Sequence, residues 1–526
     1  MVCGQLFSSY AYSFFHYSLY NLGVKSFLQK IYERYRVTFK MSDFSQLLSN
    51  HIHEKNIKTY ALAQYCGLDR SNMYKLINGK RKPSSLEMVQ KICRFLNLSY
   101  AEQQEMETAY EITVLGSENY YRRKDVLRFF NSFQLPKLKL PIFTGSDSNN
   151  DLSLENGFFL SARTELDRCL YHIISEELRK PNGHICLHVQ PDYEFLLQLL
   201  AVADYDYSNV KIEHIICIDN ESSTSHNAYN LHCLENLLPL YGNTYDYTCY
   251  YYYDSIKSRQ SSFNLFSEIV ITSNYACIFT SDYHHGILFN ESDHIHQLTS
   301  IFKQSCSVLS LLLHPLTDPV AQLEYISDME KSVSDGYSFQ MSPCLVPYFT
   351  MDLLEKYLIA DIPHRNEIIS AVTKYIQRTY WDDTSASHIN CIFSLDGLKK
   401  FMETGRFGNC PQDMYKTIEL SDRVALLKAL FRDYKKRHIR ILKENIGSLD
   451  NELFLFVTGY KGYLIMQHTF DHQLFYLNIE EPGLLSTFLD FCSSLNDNLF
   501  FTAEEADVEL KNLLLLYNQQ LKEKQS

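Results

Sequence analysis

Asp282, His284, His285, Glu291, Asp293, His294 and His296 fall within fifteen residues of one another, and side chains of these types bind divalent metals or relay protons. Their spacing also has a plain reading: His284 and His285 precede Gly286 as in a hairpin turn, and Ser292 or Asp293 is placed to cap a following helix. A complete tetrahedral or octahedral set would need ligands from further strands, so no metal is expected there. The tyrosines at 245, 247 and 250–253 read as a core strand that buries one face, not as an aromatic ligand box. The chain carries no Walker A loop, no GxGxxG after a strand, no GxSxG elbow and no HExxH, and KFMETGRFGN has too few glycines to cradle a phosphate. Catalysis has no support in this pattern. The chain is expected to be no enzyme and to need no cofactor.

Hydrogen-bonding groups suited to nucleic acid are concentrated instead in TYALAQYCGLDRSNMYKLINGKRKP, residues 59–83. Leu62, Ala63 and Cys66 give one apolar helical face, and Thr59 is placed to cap its start. Gly67 breaks that helix, since a residue without a Cβ adopts positive φ at little cost, and Asp69 can cap the next. Met73, Leu76 and Ile77 form the inward stripe of the second helix, which leaves Arg70, Ser71, Asn72, Tyr74 and Lys75 facing outward. Gly79 ends it, and Lys80, Arg81 and Lys82 follow where they would meet phosphates rather than base edges.

With LAQYCGL, NGKRKPS and the downstream SLEMVQKICRFLNLS, the stretch from Phe44 to Leu98 resembles the phage repressor and Cro-like helix-turn-helix family, also called the xenobiotic response element family. About one tenth of the chain is covered. The resemblance implies a bundle of four or five helices whose third helix enters the major groove, usually as a symmetric dimer on two half-sites. By position, Arg70, Ser71 and Lys75 fall where family members contact bases. Thr59, Asn78, Lys80 and Arg81 fall near the DNA backbone, to which Asn72, Tyr74 and Lys82 are also assigned. Family members often carry glutamine at the reading positions. Arg70 and Lys75 depart from that pattern and would favour guanine N7 and O6, so the target sequence does not transfer.

Charge agrees with this reading. Residues 41–100 hold nine Lys and Arg against four Asp and Glu, inside a chain of net charge −13, and everything after residue 140 carries about −22. With 526 residues, 45% hydrophobic and 21% charged, an ordered chain of two or three domains is expected. The 14 cysteines form no CxxC pair, which fits buried, reduced thiols in the cytoplasm. Residues 1–40 open on an uncharged stretch rich in Tyr and Phe that is no convincing membrane span, and Met41 offers an alternative start. A membrane or partner anchor is the rival reading of that extension.

Beyond residue 155, short β-branched and aromatic runs alternate with amphipathic helices, which argues α/β. A helix is expected at 164–179, then the strand HICLHVQ, the segment YEFLLQLLAVA and the strand KIEHIICI. The helix NLHCLENLLPLYG, the strand YDYTCYYYYD, the hairpin EIVITSNYACIFT with HGILFN, and a long helix at about 294–313 follow. The second half is expected to repeat this order: a helix at 364–380 and the strand HINCIFS match 164–179 and HICLHVQ, and NELFLFVTGYKGYLIMQ, QLFYLNI and LLSTFLDFCSSL match the later series. Two such lobes are faintly similar to the phospholipase D-like fold used as a ligand sensor in some bacterial regulators. The H-x-K pattern of that fold, followed four residues later by Asp, is absent, since His53 to Lys55 lies in the DNA-binding segment and lacks the Asp.

The expected architecture is therefore multidomain: an all-α helix-turn-helix bundle followed by a large α/β region of two repeated lobes. Its divisions are 1–40, an extension of doubtful status; 41–100, the DNA-binding domain; 101–154, a connector helix and linker; 155–315 and 316–500, the two lobes; and 501–526, a C-terminal helix. The function expected is a cytoplasmic, repressor-like transcriptional regulator of bacterial or phage type. Its expected partners are double-stranded DNA, a second copy of the chain and a small-molecule or peptide effector, with no membrane. The alternative is a non-enzymatic interaction or antitoxin-like module that uses the helix-turn-helix as a partner surface.

Overall fold

The computed structural model describes residues 42–131, 156–202, 209–219, 229–256, 265–331, 335–381, 388–408, 410–446, 453–467 and 474–525. The extension at 1–40 and the linker expected within 134–154 lie outside them. The chain divides into two compact units, between Tyr120 and Tyr121.

The first unit is built from α1 (Asp43–Glu54), α2 (Thr59–Tyr65), α3 (Arg70–Ile77), α4 (Leu86–Phe95) and α5 (Tyr100–Leu115). Polar caps start four of the five: Ser42, Asp69, Ser85 and Ser99 each accept a backbone N–H from the residue three further on, and Ser99 forms a reciprocal capping box with Glu102. At α2 the expectation fails. Thr59 is the first helical residue, Lys58 occupies the cap position without a side-chain bond, and the Thr59 hydroxyl lies near the Tyr74 phenol, which it helps to hold below its ordinary pKa. Four helices end alike, with positive φ at Asn56, Gly67, Gly79 and Asn97. In each, the next amide reaches back to close the last turn: Ile57 to Ile52, Leu68 to Ala63, Lys80 to Lys75 and Leu98 to Cys93, over 2.8–3.1 Å.

These closures turn Phe44, Leu48, Leu62, Met73, Leu76, Val89, Ile92 and Cys93 onto one core, each at most 1% exposed. Burial of each large member stabilises by about 1.5–3 kcal/mol. Met106 and Ala109 of α5 join the same core, so Tyr100–Leu115, read from sequence as a connector, is the fifth helix of the bundle.

In the second unit, α6 (Ser117–Asn131) supplies its segment from Tyr121 onward, and two mixed sheets follow. The first contains β1 (Phe158–Leu160), β2 (His184–His188), β3 (Lys211–Asp219), β4 (Asp246–Asp254), β5 (Glu268–Ile271), β6 (Ala276–Phe279), β7 (Gly286–Phe289) and β8 (Ser310–Leu311). Its order is β1-β7-β6-β5-β2-β3-β4-β8. Strands β2, β3 and β4 run parallel, and β5, β6 and β7 form an antiparallel meander on the β2 side. Helices α7 (Arg163–Leu178), α8 (Glu194–Val202) and α9 (Tyr229–Tyr241) connect the first four strands, and α10 (Ser292–Cys306) follows the meander.

The second sheet contains β9 (Leu313–Leu316), β10 (Asp335–Gln340), β11 (His388–Ser394), β12 (Ile439–Leu442), β13 (Phe454–Thr458), β14 (Gly462–Gln467) and β15 (Leu474–Ile479), in the order β12-β11-β10-β13-β14-β15-β9. Here β10, β11 and β12 are parallel and β13 to β15 form the meander. The helices are α11 (Pro319–Lys331), α12 (Met351–Tyr357), α13 (Arg365–Trp381), α14 (Leu395–Thr404), α15 (Leu420–Asp433), α16 (Pro482–Ser493) and α17 (Ala503–Gln525).

Three expectations change. EIVITSNYACIFT is two strands, because Thr272 and Tyr275 close a tight turn at Ser273 and Asn274, residues suited to turns. The long helix stops at Cys306, and Ser310–Leu316 supplies β8 and β9. Pro315 cannot continue a helix and sits on an edge strand, where a missing amide is tolerated. HINCIFS lies one place further from its meander than HICLHVQ does, so the strand in the place of β2 is β10 and not β11.

Both sheets contribute to one large core, with Leu187 and Ile216 from the first and Phe339, Leu455 and Leu477 from the second. Phe130 of α6 enters it, its ring 5.5–5.8 Å from those of Phe339, Phe488 and Phe491. Arg123 clamps Asp490 of α16 with two bonds of 2.9 Å, and Arg122 adds a third at 3.1 Å. Between the sheets, the Tyr253 hydroxyl donates to buried Glu481 at 2.6 Å, while Glu481 accepts the Gly483 and Leu484 amides as cap of α16. Among the described residues, no helix is long and apolar enough to cross a membrane.

Candidate nucleic-acid interface

The sequence between Gly67 and Pro83 builds a helix that is apolar on one side only. Met73 and Leu76 are buried and Ile77 is half-buried, while Arg70, Ser71, Tyr74 and Lys75 are exposed and Asn72 is half-exposed. This is the partition expected from spacing. Asp69 fixes the start: one carboxylate oxygen accepts the Asn72 amide at 2.7 Å and the other accepts the Asn72 side-chain N–H at 2.6 Å. That second bond holds Asn72 close to the helix start.

Tyr74 organises the remaining face. The Arg70 guanidinium lies over its ring, 5.5 Å from the centroid. Hydrogen bonding and charge from Arg70, aided by Thr59, hold the Tyr74 phenol below its ordinary pKa. Arg70, Thr59 and Tyr74, assigned separately in the sequence, thus meet in one polar cluster that spans α2 and α3.

Gly79, at φ +70°, turns the chain out of α3. The Lys80 and Arg81 amides both donate to the Lys75 carbonyl, at 2.8 and 3.1 Å, which anchors the backbone of the basic exit while its side chains stay exposed. Asn78 and Lys82 are exposed as well, but the Lys82 ammonium donates to the Val114 carbonyl at the end of α5, at 3.3 Å. It is the most restrained of the three consecutive cations. Lys58 and Tyr60, which flank Thr59 and are also exposed, were not singled out in the sequence. Their signal is adjacency to the start of α2, opposite the exit loop in sequence but joined to α3 through Tyr74.

Chemically, this surface offers guanidinium, ammonium, hydroxyl and amide donors and no exposed carboxylate on α3 itself, a composition suited to phosphates and guanine edges. The turn cluster at Asp282 is separate and local. Asp282 accepts the Thr280 hydroxyl at 2.5 Å and the His284 amide at 3.1 Å, and His284 bonds back to the Asp282 carbonyl at 2.7 Å. His294 pairs with Glu291 at 3.1 Å. The cap of α10 is Glu291, not Ser292 or Asp293, since the helix begins one residue earlier than its polar run indicated. In the tyrosine run, Tyr245 and Tyr247 are buried and Tyr253 is exposed.

Residues 48–103 match the model of the Cro/C1-type HTH DNA-binding domain, and this segment is a helix-turn-helix of that type. Among solved structures, the chain is similar to phosphatidylserine synthase from Haemophilus influenzae Rd KW20, at 9% identity over 77% of this chain and 98% of that one, with a TM-score of 0.21. It is also similar to TrmBL2, an archaeal chromatin protein, at 6% identity over 39% of this chain and 69% of that one, with a TM-score of 0.16. Likenesses this low carry no argument about fold or function. No curated protein matches the chain.

Proposed function

We propose that the Cro/C1-type helix-turn-helix carries this chain, as a homodimer, to specific sites on double-stranded DNA, where it regulates transcription in the cytoplasm in a repressor-like manner. The observation that carries the reading is α3, which has a buried apolar side and an exposed side bearing Arg70, Ser71 and Lys75. These three read bases. Thr59, Asn72, Tyr74, Asn78, Lys80, Arg81 and Lys82 position the DNA backbone. Two half-sites about 34 Å apart would be read by two copies.

The second unit is assigned sensing or assembly rather than catalysis. Its two sheets support a reading as repeated lobes: taken from the last parallel strand, β4-β3-β2-β5-β6-β7-β1 and β12-β11-β10-β13-β14-β15-β9 have the same order and the same strand senses. Neither lobe carries the H-x-K pattern of phospholipase D-like enzymes, which supports a non-catalytic role. An effector held by this unit would change the distance between two recognition helices and so the affinity for paired half-sites.

The experiment is selection of bound sites from random duplex DNA by the full chain, followed by affinity measurements on the enriched site. Arg70→Ala and Lys75→Ala are expected to cost about 1–3 kcal/mol each and to relax preference at single base positions. Enrichment of no motif, or parental affinity in both variants, would remove the readout assignment.

A further inference from the structure

The first sheet brings together three metal-ligand side chains that the sequence reading passed over. His184 and Cys186 are two residues apart on β2, so strand alternation sends both to one face, and the register sets Cys186 beside Glu213 on β3. His184 Nε2 lies 2.7 Å from Glu213 Oε2 and 3.6 Å from Cys186 Sγ. All three donor atoms lie within 4.8 Å of one another. A cavity of about 590 Å³ adjoins them, lined among others by His184, Glu213, Lys211, Tyr250, Lys303 and Cys306.

We propose that His184, Cys186 and Glu213 bind one thiophilic divalent transition metal, zinc being the type ion, with a fourth position open toward this cavity. Imidazole nitrogen, thiolate sulfur and carboxylate oxygen are the donor types such ions take, and three protein ligands with one open position describe a site that exchanges small ligands. The distances agree with the chemistry. Bonds of about 2.0–2.1 Å to nitrogen or oxygen and about 2.3 Å to sulfur place neighbouring donors of a tetrahedron about 3.5 Å apart. The His184–Cys186 separation is already of that size. The His184–Glu213 hydrogen bond must open by about 0.7 Å, a change within reach of side-chain rotation.

The surroundings divide the carboxylate between two tasks. Lys211 Nζ at 3.0 Å and the Tyr250 hydroxyl at 3.5 Å both address Glu213 Oε1, which orients the group and leaves Oε2 toward the other donors. Glu213 and Cys186 are buried, whereas the His184 side chain is 28% exposed and gives the ion its path from solvent. Metal entry forms the Cys186 sulfur–metal bond and releases the thiol proton to water, with no change of oxidation state. The second unit thereby gains a ligand class by an argument independent of the DNA-binding reading.

Cobalt(II) titration of the reduced, chelator-treated full chain tests the site. One equivalent is expected to bind with a thiolate-to-cobalt charge-transfer band and tetrahedral visible bands, both erased by competing zinc. Cys186→Ser should remove the charge-transfer band, and Cys391→Ser, on β11, should leave it unchanged. His184→Gln and Glu213→Gln should each weaken cobalt binding at least tenfold. If Cys186→Ser does not fold, as judged by circular dichroism, the Glu213→Gln competition decides. Failure to bind one equivalent, a band that survives Cys186→Ser, or parental affinity in Glu213→Gln would overturn the proposal. Cys306→Ser tests the open position: loss of the charge-transfer intensity by half would show a closed four-ligand shell and overturn that part.

Discussion

The three consecutive cations after α3 should contribute unequally to DNA binding, and the inequality can be worked out from their contacts. Lys80 and Arg81 have anchored backbones and exposed side chains, whereas the Lys82 ammonium already donates to Val114. For duplex DNA, log Kobs falls with log salt at a slope of about −0.9 per neutralised phosphate. In a dimer, Lys80→Ala removes two such contacts and should make the slope shallower by about 1.8. Between 50 and 200 mM salt, the fourfold concentration change turns this into a roughly 12-fold smaller loss of affinity than the parent shows. Arg81→Ala should behave alike. Lys82→Ala should change the slope by less than half as much, because its ammonium must leave a protein carbonyl to reach phosphate. Fluorescence anisotropy on the selected duplex and on a scrambled one, across that salt range, measures all three. The reasoning is refuted if Lys82→Ala flattens the slope as much as Lys80→Ala does, or if any of the three changes base preference while leaving the slope intact.

Asp69→Ala should destabilise the first unit by about 1–2 kcal/mol in thermal unfolding followed by circular dichroism, with Asp69→Ser recovering most of the loss. A double-mutant cycle between Tyr253→Phe and Glu481→Gln should give a coupling of about 1.5–3 kcal/mol, the scale of a hydrogen bond to a charged acceptor. Urea unfolding followed by circular dichroism measures that coupling, and a coupling near zero would mean the contact between the sheets is idle. Burial pushes the Asp490 carboxyl up, but the bonds from Arg123 and Arg122 outweigh it and hold the group below its usual range. Its stabilisation is therefore complete above the unfolded-chain value near about pH 4 and lost as pH falls below it. Asp490→Asn should weaken the second unit by about 1.5–3 kcal/mol at neutral pH, with a smaller further loss on acidification than the parent; an unchanged acid profile would contradict this.

Local rules made the DNA-binding unit legible. Asp69, Gly67, Gly79 and the Met73–Leu76 stripe act within three or four residues of themselves, and each did what its type dictates. Thr59 escaped because its partner, Tyr74, lies fifteen residues away on another helix. In the second unit the strands were visible as β-branched and aromatic runs, but pairing was not. Nothing near HINCIFS distinguishes a strand beside the meander from one a place removed, since that choice depends on β10, whose DGYSFQ has little of the β-branched character by which strands were found. The His184, Cys186 and Glu213 cluster was hidden for the same reason. Two of its members share a strand at the telling spacing of two, but the third arrives only through register with a strand whose paired residues lie 27 positions later.

The edge strands also have a consequence for biosynthesis. Each sheet begins, in chain order, with its outermost member: β1 waits for β7, and β9 waits for β15. The residues that pair with Leu313–Leu316 emerge from the ribosome roughly 160 residues later, which at about 5–20 residues per second is about 8–30 s. Meanwhile four helices of the first unit close their ends with bonds between residues five apart in sequence. The waiting strand is only four residues long and contains Pro315, and a short strand with a missing amide is a poor template for another chain. Pro315, placed in the strand that waits longest, thus makes the nascent second sheet a poor partner for its neighbours on a polysome.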